Sequence, residues 1–61
     1  MPTMRFILHM NDGTVKILYT DLEVELLQGQ YKNIKKEIMT EEGWKEVYYY
    51  ANNRKERKWF L

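Results

Sequence analysis

The side chains best suited to specific recognition gather between positions 44 and 61: Trp44, then Tyr48, Tyr49 and Tyr50, then Arg54, Lys55, Arg57 and Lys58, then Trp59 and Phe60. Flat rings offer surfaces on which bases can stack, and cations between them can follow phosphates, as in single-stranded nucleic-acid recognition on a sheet. Tyr, Trp and Arg are equally the residue types enriched where proteins bind one another. The expected contact set is Trp44, Tyr48, Tyr50, Arg54, Lys55, Arg57, Lys58 and Trp59. A structural account stands beside it: Arg54 to Lys58 as a solvated turn, with the aromatics stabilising a small sheet through cross-strand pairs. Alternate tyrosines must point to opposite faces, so at least one belongs to the core.

Catalysis finds little to work with. The chain has no Ser or Cys to act as nucleophile and one histidine, His9, to act as general base. The carboxylate pairs Glu41/Glu42 and Glu23/Glu25 read as solvated surface, and the three glycines, Gly13, Gly29 and Gly43, are isolated at turns rather than assembled into a phosphate-cradling loop. His9 reads as an ordinary surface residue. Structural zinc needs several Cys or His ligands at short spacing, so no metal and no cofactor is expected, and the chain is read as not an enzyme.

Sixty-one residues allow one domain, 1–61, and a small core. Domains of this size often add disulfides, a metal or a second subunit. With no cysteine, self-association or dense aromatic packing remains, and a homodimer is one expectation. The lack of cysteine fits a reducing compartment, and neither a membrane span nor a signal peptide is visible, so the reading is a cytoplasmic protein with no membrane partner. Net charge is +1, yet residues 1–31 carry two basic against four acidic side chains and residues 32–61 eight against five.

The elements that must position these residues begin with a hairpin over Met4 to Thr20, whose Asp12-Gly13 pair suits a two-residue type I′ turn. That register sets Met10 against Val15, Leu8 against Ile17 and Phe6 against Tyr19, collecting apolar residues on one face. A three-residue loop would set Leu8 against Lys16 and Met10 against Thr14, mixing polar with apolar. The two-residue turn is therefore expected, with Arg5, Ile7, His9, Lys16, Leu18 and Thr20 on a half-wet outer face.

Thr20-Asp-Leu-Glu23 has the spacing of a capping box and predicts a short helix from about 21 to 28 ended by Gly29, with Leu22, Leu26 and Leu27 facing the sheet. Alternation of Leu22, Val24 and Leu26 with Glu23 and Glu25 permits a strand instead. Residues 33–51 fit a hairpin turning at Glu42-Gly43, with Ile38 against Val47, Ile34 against Ala51 and Lys36 against Tyr49. A helix capped by Thr40, with Trp44, Val47, Tyr48 and Ala51 as its stripe, competes, but three consecutive tyrosines and Gly43 favour the hairpin. Asn52-Asn53 then turns the chain into a final strand over 57–61.

The resulting fold class is α+β, ββαβββ or similar: a small antiparallel sheet with one short helix packed on one face. Its expected core includes Phe6, Leu8, Val15, Ile17, Leu26, Ile38 and Val47. In the layout of Arg5 to Tyr19 around Asn11-Asp12-Gly13, followed by Thr20 to Gly29, the chain resembles small phage and prophage accessory proteins, the uracil-DNA glycosylase inhibitors among them. Those inhibitors are acidic DNA mimics, whereas this chain is near neutral with a basic second half, so their activity is not carried over. The broader resemblance implies a short protein that binds and modulates a host or defence protein, frequently as a homodimer. The function expected is a non-enzymatic protein-binding module of that modulator or inhibitor type. The alternative is a nucleic-acid-binding module using Arg54, Lys55, Arg57 and Lys58 with Tyr48 or Tyr50.

Overall fold

The computed structural model describes residues 3–52 and 56–59. Five strands and one helix follow in the order β1 (Met4–Met10), β2 (Val15–Leu18), α1 (Asp21–Leu26), β3 (Tyr31–Thr40), β4 (Gly43–Ala51) and β5 (Glu56–Trp59). The strands form one antiparallel sheet in the order β2-β1-β3-β4-β5. The described residues are mostly sheet, and the single short helix among them makes α+β only a loose description. Among the described residues no helix is long and apolar enough to cross a membrane.

The first hairpin corrects the expected register. Phe6 opposes Leu18, Ile7 opposes Ile17, Leu8 opposes Lys16 and His9 opposes Val15. The loop is Asn11-Asp12-Gly13, closed by the Met10 N–H donating to Thr14 O at 2.8 Å and the Gly13 N–H donating to Met10 O at 3.1 Å. A type I′ turn needs positive φ at two residues, whereas this loop needs it at Gly13 alone, where φ is 93°. Asp12 instead uses its carboxylate, accepting from the Thr14 N–H at 2.9 Å and hydroxyl at 2.7 Å. The Asn11 N–H donates to Gln30 O at 2.9 Å, which ties the turn to the start of β3.

This register puts Val15 and Ile17 on the outer face and Lys16 with Leu18 on the inner one. Segregation of apolar residues loses its force because β2 lies at the sheet edge, where only Leu18 reaches the core. Val15 and Ile17, expected in the core, are exposed.

The α1 segment is a helix, as the capping spacing predicts. The Thr20 hydroxyl accepts from the Glu23 N–H at 3.2 Å and donates to the Glu23 carboxylate at 3.0 Å. Leu27 packs toward the sheet as expected, but Leu22 and Leu26, expected beside it, do not. Val24 and Leu27 lie against the core, while Leu22 and Leu26 are 73% and 80% exposed. At 3.6 residues per turn Leu22 and Leu26 share one side of the helix, and Val24 and Leu27 share the other. The connection from β2 to β3 must cross β1, so α1 lies over the sheet's inner face.

The core under α1 is Phe6, Leu8, Met10 and Ile34, with Met4, Leu18, Tyr31, Tyr48 and Tyr50 packed around it. Among the described residues Leu8 alone is wholly shielded, at 0% exposure. Val47 and Ala51 are also buried, Ile38 is half-buried, and Leu26 is outside.

Residues 31–51 form the expected hairpin in a different register. Thr40 opposes Gly43, Ile38 opposes Lys45, and a bulge at Val47 shifts the remainder, so that Lys36 opposes Tyr48 and Ile34 opposes Tyr50. The loop is Glu41-Glu42, with the Thr40 hydroxyl donating to Gly43 O at 2.8 Å and accepting from the Glu42 N–H at 3.2 Å. That side-chain bridge is the reason the turn begins one residue earlier than glycine placement alone suggests.

Candidate functional site

The bulge at Val47 sets which tyrosines point inward. Tyr48 and Tyr50 oppose Lys36 and Ile34 on the inner face, while Tyr49 opposes Lys35 on the outer one. β5 continues the pattern, with Trp59 beside Tyr48 and Arg57 beside Tyr50. The Tyr48 and Trp59 rings are 4.5 Å apart between centroids and tilted by 56°. The Arg57 guanidinium carbon is 5.7 Å from the centre of the Tyr50 ring, within the range of a cation–π contact.

Between this aromatic wall and the end of the helical connection lies an open cleft of about 390 Å³ lined by Gln28, Gly29, Tyr31, Tyr48, Tyr50, Asn52 and Arg57. Its walls are three phenols, two amides, one guanidinium and backbone. The Tyr50 hydroxyl donates to Asn52 Oδ1 at 3.3 Å. Burial, with Tyr48 and Tyr50 close by, raises the Tyr31 pKa above its ordinary value of 10.0, so the phenol is neutral and can donate a hydrogen bond at physiological pH. Trp59 extends the wall outward and is 68% exposed.

Of the expected contact residues, Tyr48, Tyr50, Arg57 and Trp59 come together on this face. Trp44 does not. It opposes Met39 on the outer face, where the Arg5 guanidinium carbon lies 4.2 Å from the centre of its ring. The Arg5 Nε–H in turn donates to Glu37 at 2.7 Å, so Trp44 belongs to a half-buried brace between β1, β3 and β4. Lys58 also lies outward, opposite Tyr49 and 3.3 Å from the Glu56 carboxylate. Arg54 and Lys55 lie outside the described residues, as does part of the expected Asn52-Asn53 turn.

Tyr31, Gln28 and Asn52 were not among the expected contact residues. Tyr31 enters the inner face through a shift in the β1–β3 register between His9 and Met10, and no local spacing announces it. His9 is exposed on the outer face beside Val15, and Lys16 has moved to the inner face.

Charge divides between the faces. The strand carboxylates Glu37, Glu46 and Glu56 pair on the outer face with Arg5, Lys35 and Lys58. The inner-face register carries Lys16, Lys36, Lys45 and Arg57 and no strand carboxylate, Lys45 being held by Glu42 of the turn at 3.0 Å.

No protein-family model matches the chain, and neither the curated proteins nor the solved structures compared with it include a match.

Proposed function

We propose that the protein is a non-enzymatic protein-binding module whose contact surface is the inner-face cleft of Tyr31, Tyr48, Tyr50 and Arg57 with Trp59 at its rim. The observation that carries this reading is the gathering of those side chains from β3, β4 and β5 around one opening. Rings of this kind bring large apolar area with few rotatable bonds, and neutral phenol and amide groups at their edges can meet the backbone of an extended partner segment. Among the described residues the cleft is lined by one cation, Arg57, which suits a partner carboxylate better than a run of phosphates. The layout shared with phage accessory proteins adds the class of a modulator or inhibitor of a host or defence protein. The lack of cysteine fits work in a reducing compartment such as the cytoplasm.

Panning a displayed library of random peptides on the intact protein tests this directly. The reading expects enriched peptides to bind at least about tenfold more weakly to Tyr50→Ala and Arg57→Ala, as central contact residues do, and unchanged to Lys35→Ala on the outer face. Enrichment indifferent to the cleft variants would count against it.

A second reading, single-stranded nucleic acid, is favoured by one observation: the carboxylates of the strands lie on the outer face and leave cations among the inner aromatics. Titration with labelled oligothymidylate separates the two. Binding that weakens steeply with salt and is lost with Arg57→Ala would favour nucleic acid.

A further inference from the structure

The two edges of the sheet differ. β5, Glu-Arg-Lys-Trp, carries the charges that protect natural edge strands from pairing. β2, Val-Lys-Ile-Leu, is apolar in all but one position, with Val15 and Ile17 54% and 49% exposed. No described strand pairs with its outer side. Tyr19 and Leu22, the apolar residues that follow it into α1, are exposed as well. A short apolar edge with free N–H and C=O groups is a template for another strand.

We infer that β2 pairs with β2 of a second copy of this chain, joining two sheets into one of ten strands. Its own register supports that occupant. A two-fold axis normal to the sheet brings like-facing residues opposite each other, which leaves two choices near the middle of the strand. Centring on Lys16 sets two like charges against each other, which is unfavourable. Centring on Ile17 sets Ile17 against Ile17, Lys16 against Leu18, and Val15 level with Tyr19. It also points Lys16 toward the end of the second copy's β2, where the chain enters the acidic first turn of α1 at Asp21 and Glu23. Apolar meets apolar on the outer face, and the lysine finds opposite charge on the inner one. A ladder of four residues falls short of the roughly 800 Å² per partner of a standard interface, so the dimer is a weak one, with a Kd of about 1–100 μM.

Sedimentation equilibrium of the intact chain from about 1 μM to about 1 mM tests this. The mass rises from one chain to two across that range. Ile17→Lys and Ile17→Glu, each at an exposed position and each checked for an unchanged circular dichroism spectrum, raise the Kd at least about tenfold, since like charges then oppose each other at the axis. Mixing the two variants restores association, because the opposed charges are now opposite. Trp59→Ala leaves the dimer intact. A wild type that is monomeric throughout, leaving the edge to a strand of some other protein, overturns the inference. So does a dimer indifferent to both Ile17 variants, or a mixture that associates no better than either variant alone.

Discussion

Tyr48 and Trp59 face each other across β4 and β5 with ring centroids 4.5 Å apart, and this contact joins the last described strand to the rest of the inner face. Tilted aromatic pairs contribute about 0.5–1.5 kcal/mol beyond the area they bury. Trp59 is largely exposed, so most of its role in stability passes through Tyr48. Trp59→Ala is expected to lower unfolding stability by about 1 kcal/mol, and Tyr48→Ala combined with it should cost less than the two separate losses together. Urea denaturation of the three variants checks this.

The outward turn of Leu22 and Leu26 on α1 gives a sharp contrast among leucines. Leu8→Ala removes a wholly shielded side chain and should cost about 2–5 kcal/mol, enough to unfold much of so small a domain. Leu22→Ala and Leu26→Ala, on the exposed side, should stay within about 0.5 kcal/mol of wild type when measured at concentrations where the chain is monomeric. Denaturant midpoints at low concentration distinguish them. A large loss at Leu26 would restore the packing face expected from spacing.

Asp12 governs part of the acid response. Hydrogen bonds from the Thr14 side chain and backbone hold its carboxylate below its ordinary value of 3.8. The folded state therefore prefers the ionised form. The resulting stabilisation is present above the unfolded value and is lost as pH falls through the lower folded value. Asp12→Ala is expected to be less stable than wild type at neutral pH, with the difference closing in acid. Thermal midpoints measured from pH 7 down to about pH 2 follow it.

Tyr31 sets the alkaline counterpart. Burial and the neighbouring Tyr48 and Tyr50 raise its pKa above 10.0, so the folded state holds this proton more tightly than the unfolded chain does. That stabilisation is complete below the unfolded value and disappears as pH rises through the folded one. Ultraviolet difference titration should show a tyrosine component ionising above the ordinary value, and Tyr31→Phe should remove that late component while softening the alkaline loss of stability.

The capping box at Thr20–Glu23 was legible in the sequence because cap chemistry is local, and so was the order of hairpin, helix and hairpin. The hairpin registers were not, for a physical reason visible at two places. At Asn11-Asp12-Gly13 the carboxylate of Asp12 and a single left-handed glycine decided the loop, and the edge position of β2 removed the penalty that apolar patterning assigned to it. At Thr40 a side-chain bridge moved the pairing by two residues, so that Ile38 meets Lys45 rather than Val47, and a bulge at Val47 took one of them back. Because strand residues alternate faces, those small shifts redistributed the candidate site: Tyr48, Tyr50, Arg57 and Trp59 share a face as the aromatic pattern suggested, whereas Trp44 and Lys58 turn away. Tyr31 joins them through long-range pairing that no spacing within the chain encodes.

The inner face as contact surface is tested most directly by proton–nitrogen correlation spectra of the protein titrated with a peptide selected on it. The two tryptophans report from opposite sides of the sheet. With the inner face as contact surface, the Trp59 indole N–H and the Tyr48 and Tyr50 amides shift on binding while the Trp44 indole N–H stays in place. Movement of the Trp44 signal with Trp59 unchanged would place the contact surface on the outer face instead.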